Sequence, residues 1–365
     1  NKKKDLINDN MKKILVTTGG TGGHVKPAET ISEHLNTDHE VILTTDLRGL
    51  KYLDTKKNKI NIIDTPKLNI DFYFPLKLIK LIYLTIYSIF YLIKEKINCV
   101  ISTGGYMSLP ICIASKIIGL KIFLLEPNLT LGRANKFYLN FSKKIICYSN
   151  NLKNFPNKFK NKIEITKPLV SKIFYEIKKK EDLNSKKFCL LIFGGSQGAS
   201  IFDKMINKAI IDLNKEHPIK VFQQTSKENI QNLMNFYDSN EIENKIFNFE
   251  KNLIELINDS DLCISRAGAT SLAEISIMNK PFITIPLPSA KDDHQTENAK
   301  FYEREGCCWI LNQKNLNYEI ITNLLKEIIN DKSNYINKKN KLKKLNYKNS
   351  WNDINQSLKK IINEN

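Results

Sequence analysis

At 365 residues with 42% hydrophobic side chains, the chain is long enough for two ordinary domains, and its apolar content is that of a globular protein. Its net charge of +18, from 56 basic and 38 acidic residues, is compatible with nucleic acid, an anionic membrane surface or anionic substrates, but the lysines are spread along the chain and no RNA- or DNA-binding signature accompanies them. Seven cysteines, an odd number with no Cys-x-x-Cys pair, support neither a disulfide framework nor a zinc site and read as reduced core residues of a cytosolic protein.

The first ten residues are polar and lack the apolar core of a signal peptide. Lys13 to Thr18 reads as a strand, and it runs into Gly19-Gly-Thr-Gly-Gly-His24. Four glycines in five residues permit unusual backbone angles and close ligand approach. Pro27 suits the first turn of the helix that follows. His24 stands where loop becomes helix, which favours a ligand or catalytic contact over a structural role. Strands follow at Glu40 to Thr45 and Lys59 to Ile63.

Phe72 to Ile93 is a long apolar stretch interrupted by Lys77 and Lys80. Wound as a helix, it sets Lys77, Lys80, Ser88 and Glu95 on one stripe, with Ile79, Ile82, Ile86, Phe90 and Ile93 opposite. Its uncharged part, Leu81 to Ile93, is too short to span a bilayer. Taken alone, this stretch reads as a buried helix of a large sheet domain; the sharper alternative is an apolar face with flanking lysines resting on an anionic membrane.

Asn98 to Ile101 is a strand followed by Ser102-Thr-Gly-Gly-Tyr106, and Leu120 to Leu125 is another, ending at Glu126-Pro-Asn128. A carboxylate at the C-terminal end of a strand in an open α/β sheet stands where active-site residues collect. From about 150 to 185 the chain is polar and lysine-rich and reads as the link between domains. Strand–helix alternation then restarts. Phe188 to Phe193 leads into a second glycine loop, Gly194-Gly-Ser-Gln-Gly-Ala199, and strands recur near Ile219–Gln223, Ile246–Phe249, Asp261–Ser265 and Pro281–Ile285.

Ser265-Arg-Ala-Gly-Ala-Thr-Ser-Leu-Ala-Glu274 is strand, small-residue loop and helix start in one run. Free backbone N–H groups and the helix dipole suit an anion there. Ala267, Gly268 and Ala269 leave the backbone bare for a diphosphate, Thr270 and Ser271 add hydroxyls, and Glu274 can accept from a ribose diol. The pattern suggests a nucleotide held by its phosphates and sugar. Two βαβα runs, each opened by a strand and a glycine loop, predict an α/β protein of two doubly wound parallel-sheet domains facing across a cleft. The expected divisions are a polar extension at 1–10, an N-terminal domain at 11–165, a linker at 166–186, a C-terminal domain at 187–340 and a helix at 341–365 packing back on the N-terminal domain.

Six motifs in order, Gly19–His24, Gly104-Gly-Tyr106, Glu126-x-Asn128, Gly194–Ala199, Ser265–Ala269 and Lys291-Asp-Asp-His-Gln295, closely resemble the MurG family of peptidoglycan glycosyltransferases from Met11 onward. The resemblance implies the two-domain GT-B fold. It implies transfer of N-acetylglucosamine from UDP-N-acetylglucosamine to the C4 hydroxyl of lipid I, with inversion to a β linkage, giving lipid II. It also implies a peripheral enzyme on the cytoplasmic face of the bacterial membrane. Carried over residue by residue, the donor site would use Thr21, Gly22 and Gly23, with Asn128 on the sugar and Ser196 on the diphosphate. Ala269, Thr270, Ser271, Leu272, Ala273 and Glu274 would hold uracil, phosphates and ribose, and Gln295 the sugar hydroxyls. In that context Lys77, Ile79, Lys80, Ile82 and Ile86 become the leading membrane contact.

Two departures stand out. The family's Asn-Pro-Val-Arg is here Lys167-Pro-Leu-Val170, so its donor-binding Arg is a Val, and the family's His-Glu-Gln-Asn is Leu125-Glu-Pro-Asn128. No Asp-x-Asp motif is present, so glycine loops and helix N-termini are expected to stabilise the leaving diphosphate without a metal or other cofactor. His24 and Glu126 are the two candidates for the base, between which the sequence does not choose. The alternatives are another GT-B glycolipid transferase with a diacylglycerol acceptor, a UDP-N-acetylglucosamine 2-epimerase, and a non-catalytic scaffold of the same fold.

Overall fold

The computed structural model describes residues 11–180, 187–195, 200–250 and 252–364. The chain divides into two compact units. One runs up to Lys172 and takes in the residues from Asn349 on, and the other is Ile173–Lys348.

In the first unit, β1 (Lys13–Thr17), β2 (Glu40–Thr45), β3 (Lys59–Ile62), β4 (Cys99–Ser102), β5 (Lys121–Glu126), β6 (Lys144–Cys147) and β7 (Ile163–Ile165) form one parallel sheet in the order β3-β2-β1-β4-β5-β6-β7. The central strands are apolar on both sides: Ile14 to Val16, Val100, Ile101 and Phe123 to Leu125 are wholly buried. A parallel sheet covered by helices on both faces requires this continuous apolar run, because no side of it meets water. Connections run outward from β1 in one direction and from β4 in the other. Between these two strands the loops part to opposite faces and leave a crevice at the C-terminal edge, where ligands bind in such sheets. Thr17 pairs with Ser102, so the loops after β1 and β4 leave the sheet at one level.

The second unit repeats the plan. Its strands β8 (Phe188–Phe193), β9 (Ile219–Gln224), β10 (Glu243–Phe247), β11 (Leu262–Ser265), β12 (Phe282–Thr284) and β13 (Cys308–Ile310) are parallel in the order β10-β9-β8-β11-β12-β13. Its crevice lies between β8 and β11, where Phe193 pairs with Ser265. A core of Leu190, Ile192, Phe202, Ile206, Val221 and Ile264 fills the space between sheet and helices.

Several expectations are corrected. β7 falls within the 11–165 expected for the N-terminal domain despite its polar surroundings, and the first unit runs on through buried Leu169 and Val170 to Lys172, into the residues expected as linker. β13 had no counterpart in the reading. Both are three-residue edge strands, too short for alternation to register. Helix Gly22–Leu35 starts at the glycines, so Pro27 sits in its second turn and the Gly23 carbonyl loses an N–H partner. Phe74–Lys94 is not a buried helix. Its inner stripe is Leu81, Thr85, Ser88 and Leu92, packed beside helix Leu109–Ile117. Ser88, expected with the lysines, is fully buried, and the Thr85 and Ser88 hydroxyls donate to the Leu81 and Leu84 carbonyls at 2.8 and 2.7 Å. Helix Trp351–Glu364 belongs to the first unit, where Ile354, Leu358, Ile361 and Ile362 are buried. Helix Lys332–Leu345 stays with the second, held by buried Tyr335 and Leu342, so the units part after Lys348 and not at 340. All seven cysteines are free and buried.

Candidate functional site

At the first crevice, the loops after β1 and β4 are tied together. The Thr103 hydroxyl donates to Thr18 Oγ1 at 2.8 Å, and His24 Nδ1 lies 3.0 Å from the Thr103 carbonyl oxygen. A carbonyl can only accept, so Nδ1 carries the proton and Nε2 of the neutral ring keeps its lone pair. His24 is half-buried; Thr21 and Gly23 are exposed and Gly22 is buried at the helix start, where Thr21 makes no side-chain cap. Gly20 (φ +80°) and Gly105 (φ +82°) press on one side chain: a Cβ on either would come within 2.4 Å or 2.2 Å of Met107. The left-handed backbone and the missing Cβ are both required at these two positions.

Two residues that motif reading passed over set this loop. Asp46, fully buried at the end of β2, accepts from the Gly20 and Gly49 N–H groups at 2.8 and 2.9 Å, and from Arg48 Nε at 2.9 Å. The Arg48 guanidinium also ion-pairs with Asp46 and lies 5.2 Å from the centre of the Tyr106 ring. The signal was there, an Asp just past a strand, but with no glycine motif beside it.

Glu126 is placed at the C-terminal end of β5 as expected, yet its carboxylate is occupied. It is only 3% exposed. Oε1 accepts from the Asn128 backbone and side-chain amides at 3.2 and 3.1 Å, and Oε2 from the Gly132 N–H and Asn135 Nδ2 at 2.8 and 3.0 Å. Four donors converge on two oxygens. This carboxylate holds the 126–135 loop and fixes where Asn128 stands.

In the second unit, the loop after β8 begins at Gly194, whose N–H donates to Gln224 Oε1 at 3.0 Å; Ser196 lies outside the described residues. Gly195 (φ +73°) faces the start of helix Ala269–Ile277, with Ser271 Oγ 3.7 Å from where its Cβ would stand. The two loops of this crevice therefore meet at Ser271. Ala269, Thr270, Ser271 and Glu274 are half-exposed, whereas the Leu272 and Ala273 side chains are buried and the Leu272 N–H already donates to the Gly268 carbonyl at 3.0 Å. Gln295 Oε1 accepts from the Ala267 and Leu287 N–H groups at 3.2 and 2.9 Å, which turns its amide nitrogen into the free end. Asn298, one turn on and missed by the sequence reading, donates to the Ala267 carbonyl at 3.1 Å. Helix His294–Arg304 thus clamps both polar groups of one loop residue. Lys291–Asp293 is a single 3-10 turn with Asp292 and Asp293 in left-handed backbone, and no metal-ligand cluster occurs among the described residues.

Outward, helix Phe74–Lys94 presents Ile79, Ile82, Tyr83, Ile86, Phe90 and Ile93, with Ile82 61% exposed. By length and composition it could cross a membrane, but its inner stripe is committed to the first unit. Lys77 is paired with Asp71, and Lys80 with Asp64 at 3.2 Å. The flanking lysines expected to meet an anionic membrane therefore already carry counter-charges within the first unit.

The glycosyltransferase family 28 N-terminal domain model matches residues 14–147, and the family 28 C-terminal domain model matches 189–355. A Pelagibacter ubique protein named UDP-N-acetylglucosamine--N-acetylmuramyl-(pentapeptide) pyrophosphoryl-undecaprenol N-acetylglucosamine transferase is 45% identical over 97% of this chain and 99% of its own. Among solved structures, MurG of Acinetobacter baumannii superposes with TM-score 0.76 at 23% identity, covering 97% of this chain and 100% of that one. A UDP-GlcNAc 2-epimerase from Neisseria meningitidis bound to UDP-GlcNAc superposes with TM-score 0.67 at 14% identity, covering 97% and 100%. These two structures share the GT-B architecture of paired parallel-sheet domains.

Proposed function

The chain belongs to the MurG branch of glycosyltransferase family 28, and on that premise we propose that it transfers N-acetylglucosamine from UDP-N-acetylglucosamine to the muramoyl C4 hydroxyl of lipid I, forming lipid II with a β linkage. The observation that carries the reading is the identity to the Pelagibacter transferase along nearly the full length of both chains.

Within that reaction the residues divide their work. The crevice between β8 and β11 takes the donor: the N-terminus of helix Ala269–Ile277 and the Gly194–Gly195 backbone receive the diphosphate, Glu274 the ribose diol and the Gln295 amide nitrogen the sugar hydroxyls. The first crevice takes the acceptor. His24 Nε2, left basic by the tautomer that Thr103 selects, removes the C4 hydroxyl proton as that oxygen attacks the anomeric carbon opposite UDP. The electron pair of the anomeric C–O bond leaves on the β-phosphate oxygen. Glu126 is a positioning residue that fixes Asn128 at the sugar, and not the base. The exposed apolar face of helix Phe74–Lys94 rests on the membrane that holds the acceptor. Because Asp71 and Asp64 offset Lys77 and Lys80, this contact is chiefly apolar, and the enzyme is peripheral.

The test is UDP release from UDP-N-acetylglucosamine with and without a lipid I analogue. Release only with the analogue, giving a disaccharide, is the expected outcome; epimerisation of donor alone would overturn it. His24→Ala should lower kcat about 10²–10⁴-fold. Near-normal kcat would remove His24 from the chemistry.

A further inference from the structure

Three loops of the first unit leave its sheet at one level. Thr17 of β1 pairs with Thr44 of β2 on one side and with Ser102 of β4 on the other, so the loops after these strands stand in a row at the C-terminal edge. Each is joined to the others. The loop after β1 meets the loop after β4 where Thr103 holds Thr18 and His24 Nδ1. It meets the loop after β2 where Asp46 Oδ1 accepts from the Gly20 N–H, and where a Cβ on Gly49 would come within 2.9 Å of the Gly19 Cα. Arg48, in the short helix Leu47–Leu50, makes the third join. Its Nε donates to Asp46 Oδ2 at 2.9 Å, and its guanidinium lies over the ring of Tyr106 from the loop after β4. Met107 lies beneath the circuit, 5% exposed, where a Cβ on Gly19, Gly20 or Gly105 would strike it.

His24 stands inside this circuit. A base must meet its proton within a fraction of an ångström, and misplacement by about 1 Å can cost on the order of 100-fold in rate. His24 keeps its tautomer only while the Thr103 carbonyl, on one loop, stays in place against the helix that starts at Gly22, on another. Glycine-rich backbone does not hold such a position by itself. Side chains must do it, and an arginine suits the task. Its planar guanidinium presents an edge to a carboxylate and a face to an aromatic ring at once, which an ammonium cannot do. Asp46 is wholly buried and the Arg48 side chain 50% exposed, so the circuit is closed from its outer side.

We infer that Arg48 is a positioning residue for the transfer: by linking Asp46 to Tyr106 it locks the three loops together and holds His24 in register with the acceptor hydroxyl. It acts through those two residues and not on a substrate. The inference rests on the role of His24 proposed above.

The test compares the full chain with Arg48→Met, Asp46→Asn and the double variant, measuring turnover with a lipid I analogue, UDP affinity and urea unfolding. Asp46→Asn keeps an oxygen for the Gly20 and Gly49 N–H groups but turns an amide toward Arg48. No disaccharide from the unaltered chain would sink the proposed function, and the inference with it. With transfer established, Arg48→Met should lower kcat on the order of 10-fold while UDP affinity, a property of the second unit, stays within about 2-fold. The double variant should be within about 3-fold of the slower single one, because both changes break the same link. Three results would overturn the inference alone: normal kcat in Arg48→Met, losses that multiply in the double variant, or weaker urea stability with the turnover of the folded protein unchanged. Arg48→Lys keeps the charge on Asp46 without the planar face and should recover only part of the rate. Full recovery would reduce Arg48 to a counter-charge for Asp46 and would also overturn it. Because Arg48 is half-exposed, Arg48→Met and Arg48→Lys decide the matter if the Asp46 variants do not fold.

Discussion

Acidification should loosen the first unit through one imidazole. His34 ends helix Gly22–Leu35, is 1% exposed, and stacks on Trp351 with ring centres 3.5 Å apart. Its Nδ1 bonds to Asn355 Oδ1, and its Nε2 is buried with no partner. A neutral ring tolerates that; a protonated one would bury a charge and a second N–H with nothing to receive it. Burial accordingly lowers its pKa from 6.5 to about 4. The folded value lies below the unfolded one, so the stabilisation is complete above pH 6.5. It drains away as pH falls, because the unfolded chain takes up the proton first, and the loss ends near pH 4. The gap converts to about 3 kcal/mol, of which roughly 2.5 kcal/mol is lost between pH 7.5 and 4.5. In a Trp309→Phe background, Trp351 emission follows urea unfolding of this unit alone. His34→Phe keeps a stacking ring but cannot titrate, so its stability should fall by about 2.5 kcal/mol less over that interval. His39, which burial also shifts downward, is common to both proteins and cancels. Equal pH dependence in the two would refute the reasoning.

Other expectations follow from the same geometry. Glu126→Gln puts an amide where Gly132 and Asn135 donate, and should cost about 1–3 kcal/mol in stability as well as activity; an active, equally stable variant would show that the four hydrogen bonds do not hold the loop. Asn298→Ala touches no ligand by our reading, yet it releases the Ala267 carbonyl and should raise KM for UDP-N-acetylglucosamine several-fold with kcat less affected. Ile82→Glu with Ile86→Glu should abolish binding to lipid vesicles while leaving turnover of a water-soluble acceptor intact, and retained vesicle binding would place the membrane contact elsewhere.

Strand–loop–helix junctions were legible in the sequence because they are local. A buried parallel strand is a continuous apolar run, and the glycines that follow it answer to backbone angles and close contacts within a few residues. Gly20 and Gly105 could be found that way; their shared neighbour Met107 could not. What stayed hidden depends on partners far along the chain. Asp46 gains its role by reaching Gly20 from another strand, and Asn298 by reaching Ala267. Helix Phe74–Lys94 shows the limit from the other side. Its two faces were separable by angle, but which one meets the protein was not, because Thr85 and Ser88 satisfy their hydroxyls on their own helix and so pass as core. Glu126 was found for its place on the strand, and only its four donors reveal that it is occupied.

Helix Trp351–Glu364 sets an order on biosynthesis. It completes the unit that begins at the other end of the sequence, with Lys12 Nζ donating to the Ile362 carbonyl at 3.0 Å and Lys359 pairing with Asp38. During translation, the sheet β1–β7 leaves the ribosome with the outer side of helix Gly22–Leu35 bare, and it waits while all of Ile173–Lys348 is made, roughly 10–35 s at ordinary elongation rates. For that interval His34 faces solvent and an apolar groove is open to chaperones. A ribosome that stalls within the second unit releases a chain whose first unit lacks its closing helix, whatever the second has achieved.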